Sequence, residues 1–113
     1  MATRRFISKE IFLSDTFVAM TPRSKALYAY LCLYADDDGC LDCVKTVLRL
    51  SGFKRSDLKP LIDKRYVLEL EGDELLIKHW YKMNRIPPSK YKPSEYAQSI
   101  HARYALGEDD CYR

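Results

Sequence analysis

The longest apolar segment of the chain predicts a buried helix. The segment "TPRSKALYAYLCLY" begins with Thr21, a good N-cap residue, and places Pro22 at the first helical position, where a missing N–H has no cost. From Leu27 to Ala35 the apolar and aromatic residues leave no clear polar face. This helix is therefore expected to be buried on more than one side, or to leave an apolar flank exposed for a partner.

Two shorter amphipathic segments follow after a turn. Residues 36–39 are expected to lie beyond the first helix, because carboxylates are disfavoured at a helix C-terminus and Gly39 suits a positive φ. The segment "CVKTVLRLS" predicts a second helix with Asp42 as its cap and Gly52 after its end. The segment "DLKPLIDKR" predicts a third helix with Ser56 as its cap. Two short helices joined by a tight turn form a helix-turn-helix.

The segment "YVLELEGDELLIKHW" predicts a β-hairpin. Gly72 would occupy the first central position of its turn, as a type II′ turn requires. Pairing outward from that turn places Leu70 opposite Leu75 and Leu68 opposite Ile77. In this register one face of the hairpin is nearly all apolar, so we expect that face to pack on the helices.

Beyond Trp80 the chain becomes basic and is interrupted by prolines. The segment "YKMNRIPPSKYKP" favours extended backbone, and a last helix is expected between residues 94 and 106, followed by a C-terminus that frays. The order of elements predicts an α+β fold, a mostly helical winged helix-turn-helix with a two-stranded wing hairpin and a C-terminal helix. Residues 1–82 would form the winged helix-turn-helix domain, and residues 83–113 a basic linker with the last helix and tail.

Length and composition limit the class of protein. With 113 residues, 47% of them apolar, the chain fits one small globular domain. No stretch approaches the roughly 18 apolar residues of a membrane span, and the N-terminus lacks the apolar segment of a signal peptide. We therefore expect a cytoplasmic protein without membrane association, in which the four cysteines are reduced thiols.

The sequence offers no complete metal or catalytic site. Cys40 and Cys43 form one Cys-x-x-Cys pair, but structural zinc needs four ligands and no second close-spaced pair is present. An EF-hand loop placed on the aspartates would put Lys45 at the twelfth position, which needs an acidic ligand. The four glycines lie at predicted element ends, and His79 beside Trp80 is better explained as a structural residue. We expect no metal, no cofactor and no enzymatic activity.

Charge is distributed in blocks that favour a polyanionic partner more than the net charge of +3 does. Residues 45–65 carry +5, residues 66–77 carry −4 and residues 78–93 carry +5. In a helix-turn-helix the second helix presents its N-terminal side chains to the major groove, where basic groups reach phosphates or guanine edges. The predicted contacts of the helix-turn-helix are Lys45, Arg49, Lys54, Arg55, Ser56 and Lys59. The alternative explanation is that these charges only keep a structural helix-turn-helix soluble.

The charge of the hairpin argues against DNA binding, whereas the charge of the tail favours it. A wing that grips DNA normally carries Lys or Arg, but phosphates would repel this one, whose acidic residues are Glu69, Glu71, Asp73 and Glu74. The basic tail contains interleaved tyrosines, which suits neutralisation of the backbone together with stacking on bases. Its predicted contacts are Arg85, Lys90, Tyr91 and Lys92. The tail could equally be a linker that lies on the surface of the domain.

Several segments together resemble a known family. The combination of "FISKEIFLSDTFVAM", "ALYAYLCLYADDDG", "LKPLIDKRYV" and "IKHWYKMNRIPPSKYKPSEY" is similar to the N-terminal winged-helix domain of phage replisome organizer proteins, which are related to DnaD-like primosomal proteins. The resemblance covers about residues 5–97 and implies a domain that binds DNA at a replication origin or self-associates while a helicase loader is recruited. It supplies no set of DNA-contacting residues. Cys40 and Cys43 are not part of the family pattern. These 113 residues do not include the C-terminal assembly domain common in the family, as expected either of a fragment or of a short member that acts through partners.

Three functions remain open at this point. The first is a non-enzymatic DNA-binding replication module that holds duplex, and possibly single-stranded DNA, through the second helix of the helix-turn-helix and the basic tail. The second is an interaction module that forms a homo-oligomer or docks a replicative helicase or helicase loader through the apolar helix, the hairpin and the last helix. The third is a transcriptional regulator, which the fold would suit equally well.

Overall fold

The computed structural model describes residues 5–70, 73–80, 84 and 112. Within these residues the fold is α+β, as expected, and combines five helices with one small antiparallel sheet. The elements in chain order are α1 (Lys9–Phe12), α2 (Asp15–Val18), α3 (Pro22–Tyr34), β1 (Cys40–Leu41), α4 (Val44–Ser51), α5 (Arg55–Asp63), β2 (Val67–Glu69) and β3 (Leu75–Ile77). The predicted C-terminal helix lies outside the described residues. No helix in the described part is long and apolar enough to span a membrane.

Helix α3 is the central helix of the domain and starts where the sequence predicts. The Thr21 side chain accepts a hydrogen bond from the Ser24 N–H at 3.2 Å, and Pro22 is the first helical residue. Of the two alternatives expected for its apolar residues, the second is met, because one side is buried in the core and an apolar flank is exposed. The buried residues include Leu27, Tyr28, Leu31 and Cys32, and the exposed apolar residues are Tyr30, Leu33 and Tyr34.

Helices α4 and α5 follow each other across a short turn at residues 52–54. Gly52 ends α4 with a φ of 80°, a left-handed conformation that glycine adopts without strain. The apolar faces are those predicted: Val47 and Leu48 of α4 and Leu58 and Leu61 of α5 are buried in the core. The polar faces of both helices therefore point outward.

The caps of these two helices differ from the predicted ones. Residue 43, not Asp42, is the N-cap of α4, and its thiol lies 2.8 Å from the Thr46 hydroxyl. Ser56 is the second residue of α5 rather than its cap. The N-cap is Lys54, whose backbone N–H donates to the Asp57 carboxylate at 2.9 Å. A carboxylate at the third helical position serves here in place of a hydroxyl at the cap.

The sheet has three strands, in the order β1-β3-β2, whereas the sequence predicted only a two-stranded hairpin. The strand β1 was missed because it is two residues long. The hairpin register also differs by one residue, since Leu68 pairs with Leu76 and Val67 with Ile77. Every residue of the central strand β3 is buried, so alternation between a polar and an apolar face does not define its register.

The turn between α3 and β1 is fixed by local hydrogen bonds and by Trp80. One Asp36 carboxylate oxygen accepts from the N–H groups of Asp38 and Cys40, each at 3.0 Å. Gly39 has a φ of 81°, as predicted, and a Cβ at this position would lie 2.5 Å from Trp80 Cγ. The Trp80 indole donates to the Asp37 carbonyl at 2.9 Å. Glycine is required here both for its conformation and for the close approach of the indole.

Tyr112 lies in the segment that was expected to fray, but this residue is packed in the core. Its ring is fully buried, its backbone N–H donates to the Lys78 carbonyl at 2.8 Å, and its hydroxyl donates to the Asp38 carbonyl at 2.8 Å. An aromatic ring with two long-range hydrogen bonds outweighs the tendency of a terminus to fray. Tyr112 therefore belongs to the core beside β3.

Candidate nucleic-acid interface

Helix α3 holds the first turn of α5 from behind through an ion pair. The Arg23 Nε donates to both Asp57 carboxylate oxygens at 3.1 Å, and a second Arg23 nitrogen lies 3.0 Å from one of them. The Asp57 side chain is only 11% exposed. The hydrogen bonds from Arg23, and next the one from the Lys54 N–H, hold the pKa of Asp57 below its usual value. Asp57 is therefore a structural carboxylate that orients the start of α5.

Three further contacts fix the same end of α5 and the turn before it. The buried Ser24 hydroxyl donates to the Asp57 carbonyl at 2.7 Å. Arg23 also donates to the Gly52 carbonyl at 3.3 Å, and its guanidinium lies 5.1 Å from the centre of the Phe53 ring. The backbone between α4 and α5 is thus attached to one end of α3. This attachment positions the outward face of both helices.

All six predicted contacts of α4 and α5 are exposed on this outward face. They are Lys45, Arg49, Lys54, Arg55, Ser56 and Lys59. In each helix two basic residues are spaced four apart, so their side chains lie one turn apart on the same side. Residues 44–65 contain seven Lys and Arg against two Asp, and one of these, Asp57, is turned inward. The outward face of the two helices is therefore strongly basic.

Two of the basic residues on this face are already paired. Lys59 Nζ lies 3.3 Å from the Asp63 carboxylate, and these two side chains are 73% and 55% exposed. Arg55 lies 3.1 Å from the Asp73 carboxylate, with 55% and 26% of the two side chains exposed. In the part of the chain that the structure describes, Lys45, Arg49 and Lys54 lie in no ion pair. Two carboxylates interrupt the basic face, that of Asp63 at Lys59 and that of Asp73 at Arg55.

The carboxylate that contacts Arg55 comes from the hairpin rather than from the helices. Asp73 accepts the Lys45 N–H on its side chain at 2.9 Å and the Val44 N–H on its carbonyl at 3.2 Å. It therefore performs the capping of α4 that the sequence assigned to Asp42. The sequence gives no signal for this contact, because 28 residues separate Asp73 from Lys45.

Only some of the other acidic and basic residues named in the sequence analysis lie within the described part of the structure. Glu69 is exposed and Glu74 is half-buried, while Glu71 lies outside the described residues. The predicted contacts in the tail also lie outside them: Arg85, Lys90, Tyr91 and Lys92. The tail's part in the interface stays a prediction.

The cysteines do not converge into a metal site in the described residues. Cys32 and Cys40 are buried and Cys43 is exposed, and no group of three or more His, Cys, Asp or Glu side chains is close enough there to hold a metal ion. Burial raises the pKa of the Cys32 thiol to about 12, against the opposing effect of its hydrogen bond with Tyr28. Cys32 is therefore a protonated core residue at neutral pH.

Comparisons of the chain with protein-family models, with curated proteins and with solved structures found no match. The geometry and charge of α4 and α5 are therefore the basis for the function.

Proposed function

We propose that the chain is a winged-helix DNA-binding module, non-enzymatic, of a phage-type replication initiation protein. In this proposal α4 and α5 form the helix-turn-helix and the β2–β3 hairpin is the wing. The observation that carries it is the arrangement of α5. Leu58 and Leu61 attach one side of this helix to the core, and Arg55, Ser56 and Lys59 are exposed to solvent. A helix held in this way is what the major groove admits.

The charges around α5 support contact with duplex along both of its edges. Lys54 precedes the N-terminus of α5, where the helix dipole also favours a phosphate. Lys45 and Arg49 extend the basic surface across α4, at the position from which the first helix of such a motif contacts the backbone. These three residues would supply most of the affinity, and α5 would supply the contacts to base edges.

The acidic hairpin constrains how duplex can bind. Glu69 and Glu74 would be repelled by phosphates, so we place the duplex along α4 and α5 and away from these two carboxylates. The basic residues of the tail, Arg85, Lys90 and Lys92, would extend the contact to the backbone, with Tyr91 stacking on any unpaired base. The assignment to replication rests on the resemblance to phage replisome organizers, and a helicase or helicase loader is the partner that it implies.

A second candidate function is supported by the exposed flank of α3. Tyr30, Leu33 and Tyr34 are large apolar residues with substantial exposure on one helix, and the Tyr30 ring lies 5.7 Å from the ring of Phe53. Such a patch favours a protein contact, either a homo-oligomer or docking of a helicase loader. Binding of DNA and of protein could use different faces, because the basic residues lie on α4 and α5.

A DNA titration with a matched pair of charge reversals tests the first proposal. The variant Arg49→Glu/Lys54→Glu reverses two unpaired charges of the basic face, and Lys64→Glu/Arg65→Glu reverses two exposed charges at the far end of α5. Fluorescent duplex and single-stranded DNA are titrated at two salt concentrations, with circular dichroism to check folding.

We expect the first variant to weaken duplex binding by at least about tenfold, because two phosphate contacts are lost and replaced by repulsion. Its log–log salt slope should be shallower by about 1.8, at about 0.9 for each phosphate contact. The control variant should lose much less. Equal losses in the two variants would show that binding does not use this face, and the interaction module would then be the better explanation.

A further inference from the structure

Asp73, in the turn between β2 and β3, connects the hairpin to α4 and to α5. Its backbone carbonyl and one carboxylate oxygen accept the N–H groups of Val44 and Lys45 at the start of α4, at 3.2 Å and 2.9 Å. Its other carboxylate oxygen lies 3.1 Å from the Arg55 guanidinium, at the start of α5. Asp73 is therefore fixed in place by α4 independently of its contact with Arg55.

We propose that Asp73 holds Arg55 away from DNA, so that Lys54 rather than Arg55 is the dominant phosphate contact at the start of α5. This inference rests on the proposed DNA-binding function. An arginine is suited to bidentate contact with phosphate or guanine, but a fixed carboxylate at 3.1 Å already occupies part of its donor set. Asp73 is thus a positioning residue that lowers affinity and limits which basic side chains reach the duplex.

The Lys59–Asp63 ion pair on the same helix is more exposed than the Arg55–Asp73 pair and is not fixed by a second element. Lys59 and Asp63 are both well exposed and lie four residues apart on one helix, and among the described residues neither side chain has a hydrogen bond or ion pair with a different element. Such a pair is weak and opens at little cost when a phosphate approaches. Asp63 therefore serves as the matched control for Asp73, because both carry one negative charge on the same face.

The test is a double-mutant cycle read by duplex affinity and by its salt dependence. The variants are Asp73→Asn, Arg55→Gln, the combination of the two, and Asp63→Asn. Asparagine keeps a side-chain oxygen that can accept the Lys45 N–H, so the cap of α4 is preserved. Circular dichroism and thermal unfolding confirm that each variant is folded.

We expect Asp73→Asn to tighten duplex binding by about five- to tenfold at 0.1 M salt, and Asp63→Asn by about twofold or less. The salt slope of Asp73→Asn should be steeper by about 0.9, because the released Arg55 adds one phosphate contact. Arg55→Gln alone should change affinity by about twofold or less, but in the Asp73→Asn background it should remove the gain. A merely structural role of Asp73 would not change the salt slope in this way.

The outcomes separate this inference from the proposed function. If the wild type binds duplex but Asp73→Asn does not tighten binding, or if its gain persists when Arg55 is also replaced, the inference is wrong and the DNA-binding proposal stands. If neither the wild type nor any variant binds duplex at low salt, both are wrong.

A second comparison leaves Asp73 untouched, in case its replacement prevents folding. In the wild-type background Lys54→Gln should weaken binding several-fold more than Arg55→Gln, because Arg55 is paired with Asp73 whereas Lys54 lies in no ion pair among the described residues. Equal losses for these two neighbours would overturn the inference.

Discussion

The two sides of α5 are attached to the domain by the same kind of ion pair, but with different consequences. On the inner side, Arg23 of α3 contacts both oxygens of Asp57, whose side chain is almost buried. On the outer side, Arg55 makes one contact with Asp73, and both side chains are partly exposed. Two Arg–Asp pairs that bracket one helix N-terminus therefore differ in geometry and in solvent access.

This difference decides which ion pair can be removed without destabilising the fold. Removing Arg23 would leave a nearly buried carboxylate, whose only other side-chain hydrogen bond in the described residues comes from the Lys54 N–H. Removing Arg55 would leave Asp73 partly in water and still bound to the start of α4. The inner pair is therefore part of the fold, whereas the fold does not depend on the outer pair.

The largest expected effect comes from the apolar attachment beneath the inner pair. Leu61 is fully buried on the inner side of α5, and Leu61→Ala should lower the free energy of unfolding by about 3 kcal/mol through lost burial and a cavity. The half-buried neighbour Ile62 is the control, and Ile62→Ala should cost clearly less. Urea unfolding of both variants measures the two values, and an equal cost would mean that α5 is not held through its Leu61 side.

A smaller effect, with a defined pH dependence, is expected from the inner ion pair. Because the pKa of Asp57 is lowered in the folded state, its charge stabilises the fold above the unfolded value of about 3.9, and this contribution is lost as the pH falls through the folded pKa. Asp57→Asn should therefore unfold more easily at pH 7 and lose less stability on acidification than the wild type. Denaturant midpoints between pH 7 and pH 3 measure this.

Asp63→Asn is the control for that experiment, because Asp63 is an exposed residue on the same helix. Its loss of stability between pH 7 and pH 3 should be close to that of the wild type. A wild-type acid limb that is unchanged by Asp57→Asn would contradict the structural role of the inner pair.

Local signals account for most of what could be predicted of the fold. Thr21 and Pro22 mark the start of α3 and Gly52 marks the end of α4, because capping chemistry involves residues close together in the chain. The helix faces followed from apolar spacing in the same way. These features need no knowledge of the rest of the molecule.

Apart from the cap of α5, where Lys54 and Asp57 are three residues apart, the misses are contacts between distant parts of the chain. The cap of α4 comes from Asp73, and the strand β1 exists only because Cys40 and Leu41 pair with β3. The hairpin register failed for the same reason, since a strand paired on both edges and buried on both faces has no polar side to mark it. No spacing rule within a segment contains this information.

In the candidate site, too, the local features could be predicted and the contacts between distant residues could not. The exposure of the basic residues on α4 and α5 followed from helical periodicity, and the Lys59–Asp63 pair could have been read from its spacing of four. The Arg55–Asp73 pair could not, because the two residues are 18 apart and belong to different elements. Long-range pairing thus decides which of the predicted contacts are free.

The smallest expected effect is the change in stability caused by replacing Arg55 of the outer pair. Arg55→Gln should change the free energy of unfolding by no more than about 0.5 kcal/mol, since a partly exposed pair with a single contact contributes little and Asp73 keeps its bonds to α4. Arg23→Gln is the matched variant, with the same change of side chain at the other end of the comparison, and it should be clearly more destabilising because it leaves the nearly buried Asp57 carboxylate without its partner. Thermal and urea unfolding of the two variants, at low and at high salt, measures both. If Arg55→Gln proved as destabilising as Arg23→Gln, the outer pair would be part of the fold, and Arg55 could not be released to a phosphate without unfolding the start of α5.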